Sequence, residues 1–132
     1  MNAVRIVAVA MGIVTGSLAL HGLQAQPAGA TRTELQRHDL SVPGREVIQV
    51  RVELAPGAVF PSHTHPGEEI IYVIEGTWAY EIAGKPVTAK PGDVLFVPAG
   101  TIHSAKNAGT GRAAELATYI VEKGRPLLTL VK

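Results

Sequence analysis

The sequence predicts an all-β domain, a sandwich or barrel of short strands. Three observations carry this. Arg45 to Leu54 alternates strictly, with Ile48, Val50, Val52 and Leu54 against Gln49, Arg51 and Glu53, the mark of a half-buried strand. Pro56-Gly57, Pro66-Gly67, Gly84, Pro91-Gly92, Pro98 and Gly100 cut the chain into runs of similar length. No stretch beyond the first 25 residues sustains a helical period.

Taken in order, residues 1–25 read as a secretory leader, leaving 26–132 as a single domain, which is what a chain of 132 residues has room for. Arg5 precedes an apolar run from Ile6 to Leu20, and Leu23-Gln24-Ala25 is a cleavage site, with Ala28-Gly29-Ala30 as a second candidate. The run is short for a membrane span and is broken by Gly, Thr and Ser. The competing reading is an uncleaved anchor, because no charge falls between Ile6 and Thr31. There is no cysteine, so neither a disulfide nor lipid attachment at a thiol is available, which is compatible with a periplasmic or secreted location. Without Arg5 the 12 basic residues become 11, against 11 acidic ones, and the charges are scattered. That balance excludes nucleic acid as a partner, since it needs a concentrated positive patch. Once the leader is removed, no membrane association is expected.

After the strand at 45–54, Pro56-Gly57 turns the chain toward His63 and His65. Two residues apart in an extended segment, these project to one side. Pro66-Gly67 is a turn, so parity alone does not say where Glu69 points. Glu69 to Glu75, rich in Ile, Tyr and Val, reads as a strand. In Thr77 to Ile82, Trp78, Tyr80 and Ile82 share a face opposite Thr77, Ala79 and Glu81. Gly76 and Gly92 stand where tight turns call for positive φ. His103 follows the Pro98-Ala99-Gly100 turn and begins another strand. Gly109-Thr110-Gly111-Arg112-Ala113-Ala114 fits a dinucleotide fingerprint, but the segment behind it, Glu115 to Val121, is strand-like. The motif is therefore read as a hairpin loop. Glu68, adjacent to Glu69, points away from it and reads as a solvated or rim carboxylate.

The chemistry sits in two clusters. The first runs Gly57, five residues, His63, one residue, His65, three residues, Glu69, six residues, Gly76. The second runs Gly92, five residues, Pro98, one residue, Gly100, two residues, His103, three residues, Asn107. Three imidazoles and one carboxylate suit one divalent transition ion: Fe, Mn, Ni, Cu or Zn. Four protein ligands on an octahedral ion leave two positions for water, dioxygen or a chelating substrate. His21 and His38 match nothing.

At these positions, over roughly Val50 to Val121, the sequence resembles the two motifs of the cupin family. The resemblance implies a double-stranded β-helix, a jelly-roll-like barrel, with the metal held inside by His63, His65, Glu69 and His103. It does not select one reaction. The motifs are separated by fifteen residues, Thr77 to Pro91, which leaves little room for a substrate lid. Phe60, Trp78, Tyr80, Phe96 and Tyr119 are candidate pocket residues. Such an aromatic cavity suits a small organic chelator better than a phosphorylated sugar, which calls for inward Arg or Lys. The foremost expectation is a dioxygenase-like oxidoreductase acting on a small molecule, with Glu69 as catalytic base. The alternatives are a non-catalytic periplasmic metal- or ligand-binding protein and a non-redox lyase or isomerase. Ile70 to Ile74 is apolar on both faces, so its outward face needs a cover. A homodimer is expected there, with the chain's own segment Leu35 to Val42 as the competing cover.

Overall fold

The computed structural model of the chain describes residues 26–132, and the expected leader lies outside them. The described residues form ten strands: β1 (Ala30–Asp39), β2 (Arg45–Leu54), β3 (Val59–Thr64), β4 (Gly67–Glu75), β5 (Trp78–Ile82), β6 (Lys85–Ala89), β7 (Val94–Val97), β8 (His103–Asn107), β9 (Ala113–Glu122) and β10 (Thr129–Leu130). Two five-stranded antiparallel sheets pack face to face, in the orders β1-β2-β9-β4-β7 and β10-β3-β8-β5-β6. The expected all-β, double-stranded β-helix is the observed fold.

The alternation in β2 is fully realised: Glu46, Ile48, Val50, Val52 and Leu54 are buried and the residues between them half-buried. Along β4 the inward set is Gly67, Glu69, Ile71 and Val73. Glu69 therefore shares the core face with two fully buried aliphatics. In β5, Trp78 and Tyr80 turn inward and stack, ring centroids 5.5 Å apart and planes 8° apart. The Trp78 indole N–H donates to the Glu75 carbonyl at 3.1 Å, which satisfies its polar end inside the core.

Two glycines are needed where they stand. Gly76, with φ of +83°, turns β4 toward β5, and a Cβ there would lie 2.7 Å from the Ala113 Cα. Gly67 has ordinary φ, yet a Cβ would meet the Ile120 carbonyl oxygen at 2.0 Å, because the backbone of the paired strand β9 lies close against it.

Some expectations are corrected. Residues 108–112 are not a hairpin loop: β8 and β9 belong to different sheets, so this segment crosses between them. Buried Asn107 organises the crossing, donating to the Leu54 and Gly111 carbonyls at 3.0 and 2.8 Å and accepting from the Gly109 N–H at 2.9 Å. The stretch around Leu35 to Val42 does not cover β4 either. Its first half lies in β1, which pairs with β2, and β2 and β9 separate it from β4. Ile70, Tyr72 and Ile74 remain exposed at 38, 48 and 39 %.

Candidate metal centre

His63 is the penultimate residue of β3, His65 lies just beyond the strand, Glu69 is inward on β4, and His103 opens β8. β3 and β8 pair with His63 directly opposite His103. A register shift between Phe60 and His63 inserts one extra residue into β3. Such a bulge re-aims a side chain, so Phe60 and His63, of opposite parity, both face inward. All four polar side chains are buried.

Their polar atoms converge. The three histidines bring ligand nitrogens within 4.8 Å of one another. The Glu69 carboxylate lies 3.0 Å from His103 Nε2 and 3.4 Å from His65 Nε2. Despite these distances, His65 Nε2, His103 Nε2 and Glu69 Oε2 have no aligned hydrogen-bond partner among the described residues. Buried polar atoms without partners need an explanation, and lone pairs directed at one shared point supply it. The other ring nitrogens are all occupied. His63 Nδ1 bonds the Pro61 carbonyl at 2.7 Å, His65 Nδ1 the Leu127 carbonyl at 2.6 Å, and His103 Nδ1 the Thr101 carbonyl at 2.9 Å. A carbonyl can only accept, so each Nδ1 carries a proton, and in the neutral ring each Nε2 then presents a free lone pair. The three-histidine cluster can hold a metal ion, and the donor set fits one.

Electrostatics favour the ligand forms of His63 and Glu69 and oppose that of His103. Burial, assisted by His103, depresses the His63 pKa to about 3, which keeps it neutral. Burial also lowers His103, but the adjoining Glu69 carboxylate outweighs it and raises the pKa. For Glu69, burial pushes up, while His103 and His65 together prevail and hold it below the usual carboxylate range.

His63, Glu69 and His103 border a narrow, partly open cavity. Phe60, Trp78, Tyr80 and Tyr119 line it. Phe96 does not. It is 59 % exposed on the outer face of β7, beside Ile70, because the alternation that buries Val97 turns Phe96 outward. Two polar lining residues escaped the sequence reading. Glu115 faces inward on β9 and accepts a hydrogen bond from the Tyr80 hydroxyl. Its position was legible, since it shares parity with Ala117 and Tyr119. Arg32 enters from β1, opposite Val52. The aromatic cavity thus contains the inward arginine that the sequence did not lead one to expect. Burial and then the charge of Glu69 raise the Glu115 pKa to about 8, against the opposing Tyr80 bond.

Residues 50–121 match the family described as the cupin domain. The chain belongs to the cupin family. Among curated relatives, this cupin is 38 % identical over 104 residues to germin-like protein 1-1 of Oryza sativa, covering 70 % of this chain and 46 % of that one. It is 39 % identical over 82 residues to germin-like protein 1 of Brassica napus, covering 58 % and 40 %. The chain thus spans less than half the length of these relatives. Among solved structures, an oxalate oxidase superposes with a TM-score of 0.64 at 26 % identity, covering 89 % of this cupin and 62 % of that chain. A double-stranded β-helix protein of Klebsiella pneumoniae gives 0.67 at 20 % identity over 83 % and 90 %, a likeness of fold.

Proposed function

We propose that this cupin is an exported, mononuclear metal-dependent oxidoreductase acting on a small organic molecule, with His63, His65, Glu69 and His103 as ligands. The observation that carries the reading is the buried convergence of unpartnered Nε2 and Oε2 atoms, with every Nδ1 already bound to a carbonyl. The likeness to oxalate oxidase favours redox chemistry over the other classes. A divalent transition ion in this donor set supplies a Lewis acid and, when redox-active, a one-electron couple.

The chain's own residues do the rest. The three backbone carbonyls fix the imidazole tautomers before any ion arrives. Phe60, Trp78 and Tyr119 keep bulk water from the cavity, which strengthens charge interactions inside it. Glu69 serves as ligand rather than base, since the environment that favours its charged form weakens it as a proton acceptor. Glu115, with a pKa near 8 and a bond to Tyr80, is better matched to proton transfer near neutral pH.

A second reading, a non-catalytic metal- or ligand-binding protein, draws support from the narrowness of the cavity. Native metal content separates the two. Protein recovered from the exported fraction and analysed for metals should carry manganese, iron or copper and consume oxygen with a small organic acid. Zinc alone, with no oxygen uptake, supports the binding protein. The same material tests export: its N-terminus is expected at Gln26 or near Thr31, and an intact Met1 indicates an anchor.

In this reading the protein works as a homodimer. Register places Ile70 beside Phe96 and Tyr72 beside Val94, so the outer faces of β4 and β7 form one apolar surface. A second copy meeting it about a two-fold axis covers both faces at once.

A further inference from the structure

We propose that Arg32 is the anion-recognition residue of the metal cavity. The ligand it selects is a small organic acid with one anionic group toward the ion and a carboxylate toward Arg32. The inference rests on the metal-site reading and names the substrate class for it.

Arg32 is unlike every other arginine among the described residues. Arg37, Arg45, Arg51, Arg112 and Arg125 each have a carboxylate within 4.0 Å. Arg32 has none, and its buried Nη2 has no hydrogen-bond partner among the described residues. Leaving a guanidinium donor unmet in a buried setting is costly, the more so because it is charged. Such a group is retained where something else satisfies it.

Its position is set by the fold. Pairing with Val52 turns Arg32 to the inner face of β1 and onto the cavity wall. The guanidinium carbon lies 6.0 Å from the Phe60 ring centre and 5.9 Å from that of Tyr119. Those rings in turn lie 4.9 Å from His63 and 4.6 Å from His65. One aromatic residue thus separates the guanidinium from the metal-binding imidazoles on each side. Arg32, His63, Glu69 and His103 border the same cavity, so a ligand lodged there meets both ends.

Charge decides what that molecule is. Glu115, the second acid in the cavity, accepts from the Tyr80 hydroxyl and forms no ion pair with Arg32, and burial pushes it toward its neutral form. Glu69 is committed to the ion. A divalent ion and one guanidinium against a single carboxylate leave the interior two charges positive, so a ligand with two negative groups balances it. The guanidinium is planar and presents parallel N–H donors, which match a carboxylate in fork geometry. The narrow cavity favours this flat group over a tetrahedral phosphate.

The test is calorimetric titration of the full chain with malonate and with its half-amide malonamate, which keeps one carboxylate and neutralises the other. Manganese-loaded and metal-free protein are both titrated. Loaded wild type is expected to bind malonate at least tenfold more tightly than malonamate. Arg32→Gln should abolish that preference with unchanged metal content, and Arg32→Lys should retain part of it. A weaker malonate preference that depends on Arg32 should persist in the metal-free chain. If the chain takes up no ion, the metal reading fails while the metal-free titration still decides the role of Arg32. An unaltered malonate preference in Arg32→Gln, or none in the wild type, overturns the proposal. A purely structural Arg32 would instead lower the melting temperature of Arg32→Gln and leave the preference intact.

Discussion

His63 and His103 face each other across adjacent antiparallel strands, with ring centroids 4.1 Å apart. The two histidines are forty residues apart in the chain, yet a single strand pairing makes them neighbours. Each fixes its Nδ1 on the carbonyl two residues before it, Pro61 and Thr101. His65 is anchored differently, on the Leu127 carbonyl in the segment that precedes β10.

The first prediction follows from that convergence. The purified chain should bind one divalent ion, and His63→Ala and His103→Ala should each lose it in elemental analysis. With free ion at a hundredfold above Kd, the wild type should gain about 2.7 kcal/mol of stability, on the order of 10 °C in melting temperature. Full metal occupancy in the double variant would falsify the ligand assignment.

Gly67 tests how tightly β4 lies under β9. Gly67→Ala should lower stability by about 3 kcal/mol, because the new Cβ meets backbone that cannot yield cheaply. Gly111→Ala, with open space and ordinary φ, is the control and should melt like the wild type. Equal melting temperatures for the two variants would contradict this packing.

Glu115 predicts a pH effect. Its folded pKa, about 8, stands above its ordinary value of 4.5. Its contribution to stability is therefore complete below about pH 4.5 and is lost as pH rises through about 8. Glu115→Gln, which cannot ionise, should be more stable than the wild type at pH 9, by about 1–3 kcal/mol, and nearly equal to it at pH 4.5. Denaturant melts at the two pH values measure this. A constant difference between them would show that Glu115 does not titrate in this window.

Assembly is checked by light scattering at micromolar concentration. The wild type should be a dimer, and Ile70→Glu or Ile74→Lys should dissociate it, since a charge buried in an apolar interface has no partner. A monomeric wild type, or a dimer indifferent to both changes, would remove this interface.

Much of the molecule could be read before folding. The alternation of β2, the inward face of Trp78 and Tyr80, and the turns at Gly76 and Gly92 are local, because side-chain period and glycine φ are properties of a few consecutive residues. The identities and spacings of His63, His65, Glu69 and His103 likewise carry their chemistry in the sequence. What parity could not supply came from pairing. The bulge in β3 turns Phe60 and His63 to the same side, and only the partner strand β8 determines that a residue is left over there. Phe96 was misplaced because a four-residue strand of Val, Leu, Phe and Val has no polar residue to mark its outer face. Arg32 was invisible because its strand is polar on both faces, and nothing within β1 distinguishes the side that meets Val52. Composition and spacing thus determined the barrel and the polar residues that converge inside it. The tertiary structure decided which side chains share the cavity, because that depends on registers between strands far apart in the chain.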